Sequence, residues 1–110
     1  MPAAGALRRH FSFPPAFPGF AGHFPGHPIL PGVVQVLTAL TVAEELHGGR
    51  LQLVGVEHAK FQVQLRPGDE IAVQVRARQH DGQLAFEARL QRGAENAAGF
   101  ILIVTPGGTP

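Results

Sequence analysis

The chain has no cysteine, tryptophan or tyrosine and only one methionine. Without cysteine there are neither disulfides nor thiolate metal sites, so packing alone must hold the core. Charge is also sparse. Only 15% of the residues are Asp, Glu, Lys or Arg, the formal net charge is +1, and the nine cationic residues are scattered. An electrostatic nucleic-acid binder needs a concentrated basic face, so no nucleic-acid partner is expected. No apolar run is long enough to cross a bilayer. Met1 to Arg9 carries two arginines with no apolar segment behind them, unlike a secretion signal. These absences together lead to the expectation of a cytoplasmic protein with no membrane partner. The aromatic supply is eight phenylalanines. Most are expected in the core, where large apolar rings are commonly buried.

A length of 110 residues suits one domain, 1–110, with 105–110 as a flexible tail. Its 14 glycines and 10 prolines are its most unusual feature, and they concentrate in the run Gly22-His-Phe-Pro-Gly-His-Pro-Ile-Leu-Pro-Gly-Val-Val-Gln35. Prolines preset φ and remove amide donors, whereas glycine permits close approach of the backbone to something else. Pro14 to Pro31 therefore reads as irregular chain. A helix follows from Gly32 to Leu46, ended by His47-Gly48-Gly49 with a glycine in the C-cap position. Val33, Val34, Val36, Leu37, Ala39, Leu40, Val42 and Ala43 leave it almost no polar face, which predicts burial on all sides.

Strand periodicity surrounds this helix. Leu7 to Phe13 reads as a first strand. Ala59, Phe61, Val63 and Leu65 alternate with polar residues, and Arg66-Pro67-Gly68-Asp69 makes a turn. Ile71 to Ala77 and Leu84 to Leu90 alternate on either side of an Asp81-Gly82 hairpin turn. Glu87 and Arg89 can then pair with Arg76 and Arg78 across the strands. Phe100 to Val104 is apolar throughout, as befits a strand covered on both faces. The class is α+β, with an antiparallel sheet and one long helix.

The Gly22–Gln35 run resembles the signature of the 3-hydroxyacyl-[acyl-carrier-protein] dehydratases of FabA/FabZ type, roughly H-F-P-G-x-P-[IV]-[ML]-P-G-V. Ala59-Lys-Phe-Gln-Val-Gln-Leu-Arg-Pro-Gly-Asp-Glu70 resembles their K-F-x-x-P-V-x-P-G-D block. In its short N-terminal region and in the wording Ile-Leu-Pro-Gly-Val-Val-Gln, the chain is most similar to the dehydratases of aryl-polyene pathways. The resemblance implies a hot-dog fold, a curved antiparallel sheet wrapped around one central helix. It also implies a lyase acting on acyl carrier protein-linked 3-hydroxyacyl thioesters to give trans-2-enoyl products, in fatty-acid or polyene-type synthesis and without a cofactor or metal. His23 is then the base and Gly32 the backbone donor to the thioester carbonyl. Phe24, Pro31, Val33, Leu37 and Phe61 would line the substrate site.

One position departs from the family. Its members carry an acidic residue fourteen positions after the motif histidine and a glutamine four positions further on, where this chain has Leu37 and Thr41. Dehydration needs a base for the α-proton, donors for the enolate oxygen and an acid for the departing hydroxyl. The acid has no evident holder here. Glu44 lies about 10 Å beyond Leu37 at 1.5 Å per residue, and Thr38 and Thr41 could at most position a water. Family sites form at dimer interfaces, which implies a homodimer or higher homo-oligomer, or a heterodimer with an acid-bearing relative. The alternatives are an accessory subunit that binds acyl chains without turnover and a hot-dog acyl thioesterase. Lys60, Arg66 and Arg50 are candidate contacts for an acidic carrier protein.

Overall fold

The computed structural model describes residues 5–18 and 28–107. Five strands and one helix follow in the order β1 (Ala6–Phe11), α1 (Gly32–His47), β2 (Leu51–Phe61), β3 (Ile71–His80), β4 (Gln83–Arg92) and β5 (Glu95–Pro106). The strands form one sheet in the order β1-β3-β4-β5-β2, antiparallel at every junction. Alternation decides which side chains meet the helix. Val73, Val75, Phe86, Leu90, Leu102 and Val104 form the core with Val36, Ala39, Val42 and Ala43 of α1. Ala85, Ile101 and Ile103 form a second, smaller cluster. β5 is thus buried along both faces, as its unbroken apolar run predicts.

The β3–β4 hairpin turns at Asp81 (φ 52°) and Gly82 (φ 77°), the left-handed pair that a two-residue turn requires. Arg76 stands opposite Glu87, but the ion pair is diagonal, between Arg78 and Glu87 at 3.5 Å. Arg89 stands opposite Gln74.

Three expectations are corrected. The helix is not buried on all sides. Val33 is 65% and Leu37 50% exposed, and with exposed Thr41 they mark one stripe at i, i+4 and i+8. A single sheet covers one side of a helix, and apolar composition does not reveal which side. The strand expected over Ala59–Leu65 is also displaced, since β2 runs from Leu51 to Phe61 and residues 62–70 are irregular. The alternation there continues past the end of pairing with β5. Finally, Thr105 and Pro106 belong to β5, opposite Gln52 and Leu51, and the Gly107 N–H donates to the Arg50 carbonyl at 2.8 Å. The rest of the expected tail, 108–110, lies outside the described residues.

Candidate functional site

The two ends of α1 are finished differently. At the C-terminus, Gly48 adopts φ 84° and its N–H donates to the Glu44 carbonyl at 2.8 Å, the left-handed cap that glycine accommodates without a Cβ clash. At the N-terminus, Pro31 is the N-cap and provides no side-chain hydrogen bond, and the first turn has no acidic residue. Val34 and Gln35 N–H groups both reach the Pro31 carbonyl at 3.1 Å. The Gly32 and Val33 N–H groups have no acceptor among the described residues. Two aligned donors and the positive end of the helix dipole are thus left free for an oxyanion.

Gly32 borders a cavity of about 470 Å³ whose walls also include Leu30, Pro31, Gln35, Phe61 and Val63. Among the described residues its lining holds no ionisable side chain, and the helix end brings a partial positive charge to it. Phe61 forms one wall. A Cβ built on Gly32 would stand 3.2 Å from its ring, so glycine permits this close approach. A cavity of about 530 Å³ lies beside the charged outer residues His58, Lys60, Glu87 and Arg89. It is larger, but among the described residues no helix terminus borders it.

The second sequence block positions the first. Leu65 is fully buried, and its carbonyl accepts the Leu30 N–H at 2.7 Å. The Gly68 N–H donates to the Phe13 carbonyl at 2.9 Å, and Asp69 Oδ2 accepts the Arg66 N–H at 2.8 Å, closing the Arg-Pro-Gly-Asp turn. Arg92 secures that turn from β4 through the Gln64 carbonyl and Asp69, each at 3.2 Å. Leu30, two residues before Gly32, is thereby tied to this block.

Of the residues singled out in the sequence, Pro31, Gly32 and Phe61 meet at the cavity. Val33 and Leu37 do not line it, because their stripe faces outward. His23 and Phe24 lie outside the described residues. Neither helix carboxylate is available as an acid. Glu44 accepts the Leu51 N–H at 2.9 Å, and Glu45 is held by Arg9 through two bonds of 3.1 and 2.6 Å. That guanidinium keeps the Glu45 carboxyl below the usual carboxylate range, chiefly by hydrogen bonding. Thr38 and Thr41 donate their hydroxyls back to the Val34 and Leu37 carbonyls at 2.8 and 3.0 Å. Among the described residues no group of three His, Asp or Glu side chains converges as a metal site.

Gln35 was not among the residues singled out, although it is the one amide within the apolar run of α1. It is 3% exposed, and its Nε2 donates to the Leu30 carbonyl at 3.0 Å. Its Oε1 is buried without a hydrogen-bond partner among the described residues. Such an orphan acceptor costs about 1–3 kcal/mol.

Comparison with known proteins identifies this arrangement. A family model described as ApeI dehydratase matches residues 3–99. The FabZ 3-hydroxyacyl-[acyl-carrier-protein] dehydratase of Thermus thermophilus is 35% identical over 102 residues, covering 82% of this chain and 70% of the relative. That of Haemophilus influenzae is 39% identical over 95 residues, 66% of this chain and 64% of the relative. Among solved structures, the dehydratase heterocomplex ApeI:P from Xenorhabdus doucetiae superposes with a TM-score of 0.77 at 26% identity, covering 94% of this chain and 89% of that one. The fluoroacetyl-CoA thioesterase FlK superposes at 0.72 with 13% identity, over 96% of this chain and 89% of that one, which is a likeness of fold alone. The helix on its five-stranded antiparallel sheet is a hot-dog fold, and the chain belongs to the ApeI-like family of FabZ-related dehydratases.

Proposed function

We propose that the chain contributes a half-site for dehydration of 3-hydroxyacyl thioesters carried on acyl carrier protein, completed by a second subunit. The observation that carries this reading is the uncapped start of α1 at the mouth of a neutral cavity, nine residues after the motif histidine. The thioester carbonyl accepts from the Gly32 N–H, with Val33 as a second donor. His23 removes the α-proton, and negative charge develops on the carbonyl oxygen at the positive end of the helix. The Cα–Cβ double bond forms as the 3-hydroxyl leaves, taking a proton from an acid to become water. Pro31 and Phe61 serve as cavity walls for the acyl chain, and the family resemblance adds Phe24 as a further substrate-binding residue.

The acid comes from a partner in this proposal. Leu37 cannot donate a proton, and Glu44 and Glu45 are engaged elsewhere. The exposed stripe of Val33, Leu37 and Thr41 is a face for a second hot-dog subunit to cover. In a heterodimer with an acid-bearing relative, this chain's His23 would work with the partner's carboxylate. A homodimer would hold two sites without the acid and act as an acyl-binding accessory. The heterocomplex formed by the Xenorhabdus doucetiae relative supports the mixed assembly.

Complementation tests this directly. An acid-bearing relative whose own motif histidine is replaced by alanine is mixed with this chain and supplied with 3-hydroxyacyl thioesters. Turnover in the mixture, absent from either protein alone and lost with His23→Ala, is the expected result. A mixture no more active than its parts overturns the shared-site reading. Leu37→Glu separates the alternatives, since it should restore turnover to this chain alone if only the acid is missing.

A further inference from the structure

Gln35 has a job that holding the chain together does not explain. Its Nε2 donates to the Leu30 carbonyl at 3.0 Å, which fixes the amide orientation and leaves Oε1 as an acceptor only. Gln35 lines the cavity, and its Oε1 is buried with no partner among the described residues. A purely structural glutamine would be expected to satisfy both ends, because a half-paired buried amide is worse than an apolar side chain of the same shape.

The site's position indicates what the acceptor meets. Gln35 follows Gly32 by one helical turn, about 4.5 Å along the axis at 1.5 Å per residue. A thioester whose carbonyl oxygen sits on the Gly32 N–H carries its 3-hydroxyl two carbons further along the acyl chain. The pantetheine arm leads the other way, to a carrier in solvent, so the acyl side is the part of the ligand that a residue one turn into the helix would meet. Among the described residues, no ionisable side chain lines the cavity.

We propose that Gln35 Oε1 accepts a hydrogen bond from the 3-hydroxyl of the acyl substrate and so selects 3-hydroxyacyl over saturated acyl chains. This rests on the acyl-thioester reading above. It assigns Gln35 to substrate binding and gives it no part in proton transfer.

The test is equilibrium binding, which does not depend on a complete catalytic site. Two thioesters of equal chain length and identical pantetheine arm are compared, one with the 3-hydroxyl and one without. The wild-type chain should bind the hydroxylated ligand about five- to tenfold more tightly, the ordinary net contribution of one buried hydrogen bond. In Gln35→Met, similar in shape but without the amide, that ratio should fall to about one while the saturated ligand binds as before. Equal affinity of the wild type for the two ligands overturns the proposal without any variant. So does a Gln35→Met protein that loses both ligands in proportion, which is the signature of a structural role. If the wild type binds neither thioester, the acyl-thioester reading has failed and the role of Gln35 falls with it. A 3-methoxy ligand, which keeps the oxygen but has no proton to donate, should bind no better than the saturated one.

Discussion

The two ends of the helix differ in how completely the chain uses them. At the C-terminal end three groups near the last turn are engaged. Gly48 caps the last turn, Glu44 holds the Leu51 N–H at the start of β2, and Arg9 reaches from the edge strand β1 to clasp Glu45. At the N-terminal end, Gly32 and Val33 offer unused N–H groups, Gln35 offers an unused acceptor, and Val33 and Leu37 face outward. Free N–H groups are usual at a helix start, whereas a buried acceptor without a partner, such as Gln35 Oε1, is unusual among the described residues. The proposed function places recognition at the open end and leaves stability to the sealed end.

That division can be broken from the open end first. His23→Ala should lower turnover of the complemented assembly by about 10²–10⁴-fold, the usual contribution of a positioned general base, measured by steady-state kinetics with no change in melting temperature. At Gly32 two substitutions separate donor from space. Gly32→Ala keeps the N–H and presses a methyl against Phe61. Gly32→Pro also removes the donor, at a helix position that tolerates proline, and should cost a further 10²–10³-fold or so in kcat, as loss of an oxyanion donor does. Equal rates for the two variants would show that the N–H is not used.

Changes at the sealed end should move stability and leave turnover alone. Gly48→Ala meets no neighbouring atom but forces an L side chain to φ 84°. It should destabilise by about 1–2 kcal/mol in denaturant unfolding. The Arg9–Glu45 clasp is exposed, so its effect is the smallest. Because Arg9 lowers the folded-state pKa of Glu45, the stabilisation is present above the ordinary carboxylate range and fades as pH falls through the lowered value. Melting curves of wild type and Arg9→Ala should therefore differ most near neutral pH and converge in acid. Added salt should narrow the gap as well.

How much of this was legible beforehand depends on the range of the interaction that decides it. The β3–β4 hairpin follows from alternation around Asp81-Gly82, and the helix bounds from Pro31 and Gly48, because these signals are local to the chain. β2 was misplaced because Leu51–Phe61 has weak alternation of its own. Its extent is set by pairing with β5, some forty residues away in sequence. The open end was half legible. Proline and glycine announced a rigid approach to Gly32, but Gln35 looked like an incidental amide in an apolar helix.

The sequence alone, through two motifs that resemble the FabA/FabZ-type dehydratases, pointed to the hot-dog class and the family, and it shows Leu37 where that family has an acidic residue. Only the tertiary structure decided that Leu37 faces outward while Gln35 faces in, that Phe61 closes over Gly32, and that Glu44 and Glu45 are engaged elsewhere. One sheet must choose one side of a nearly uniform apolar helix, and that choice is made by packing against strands far along the chain.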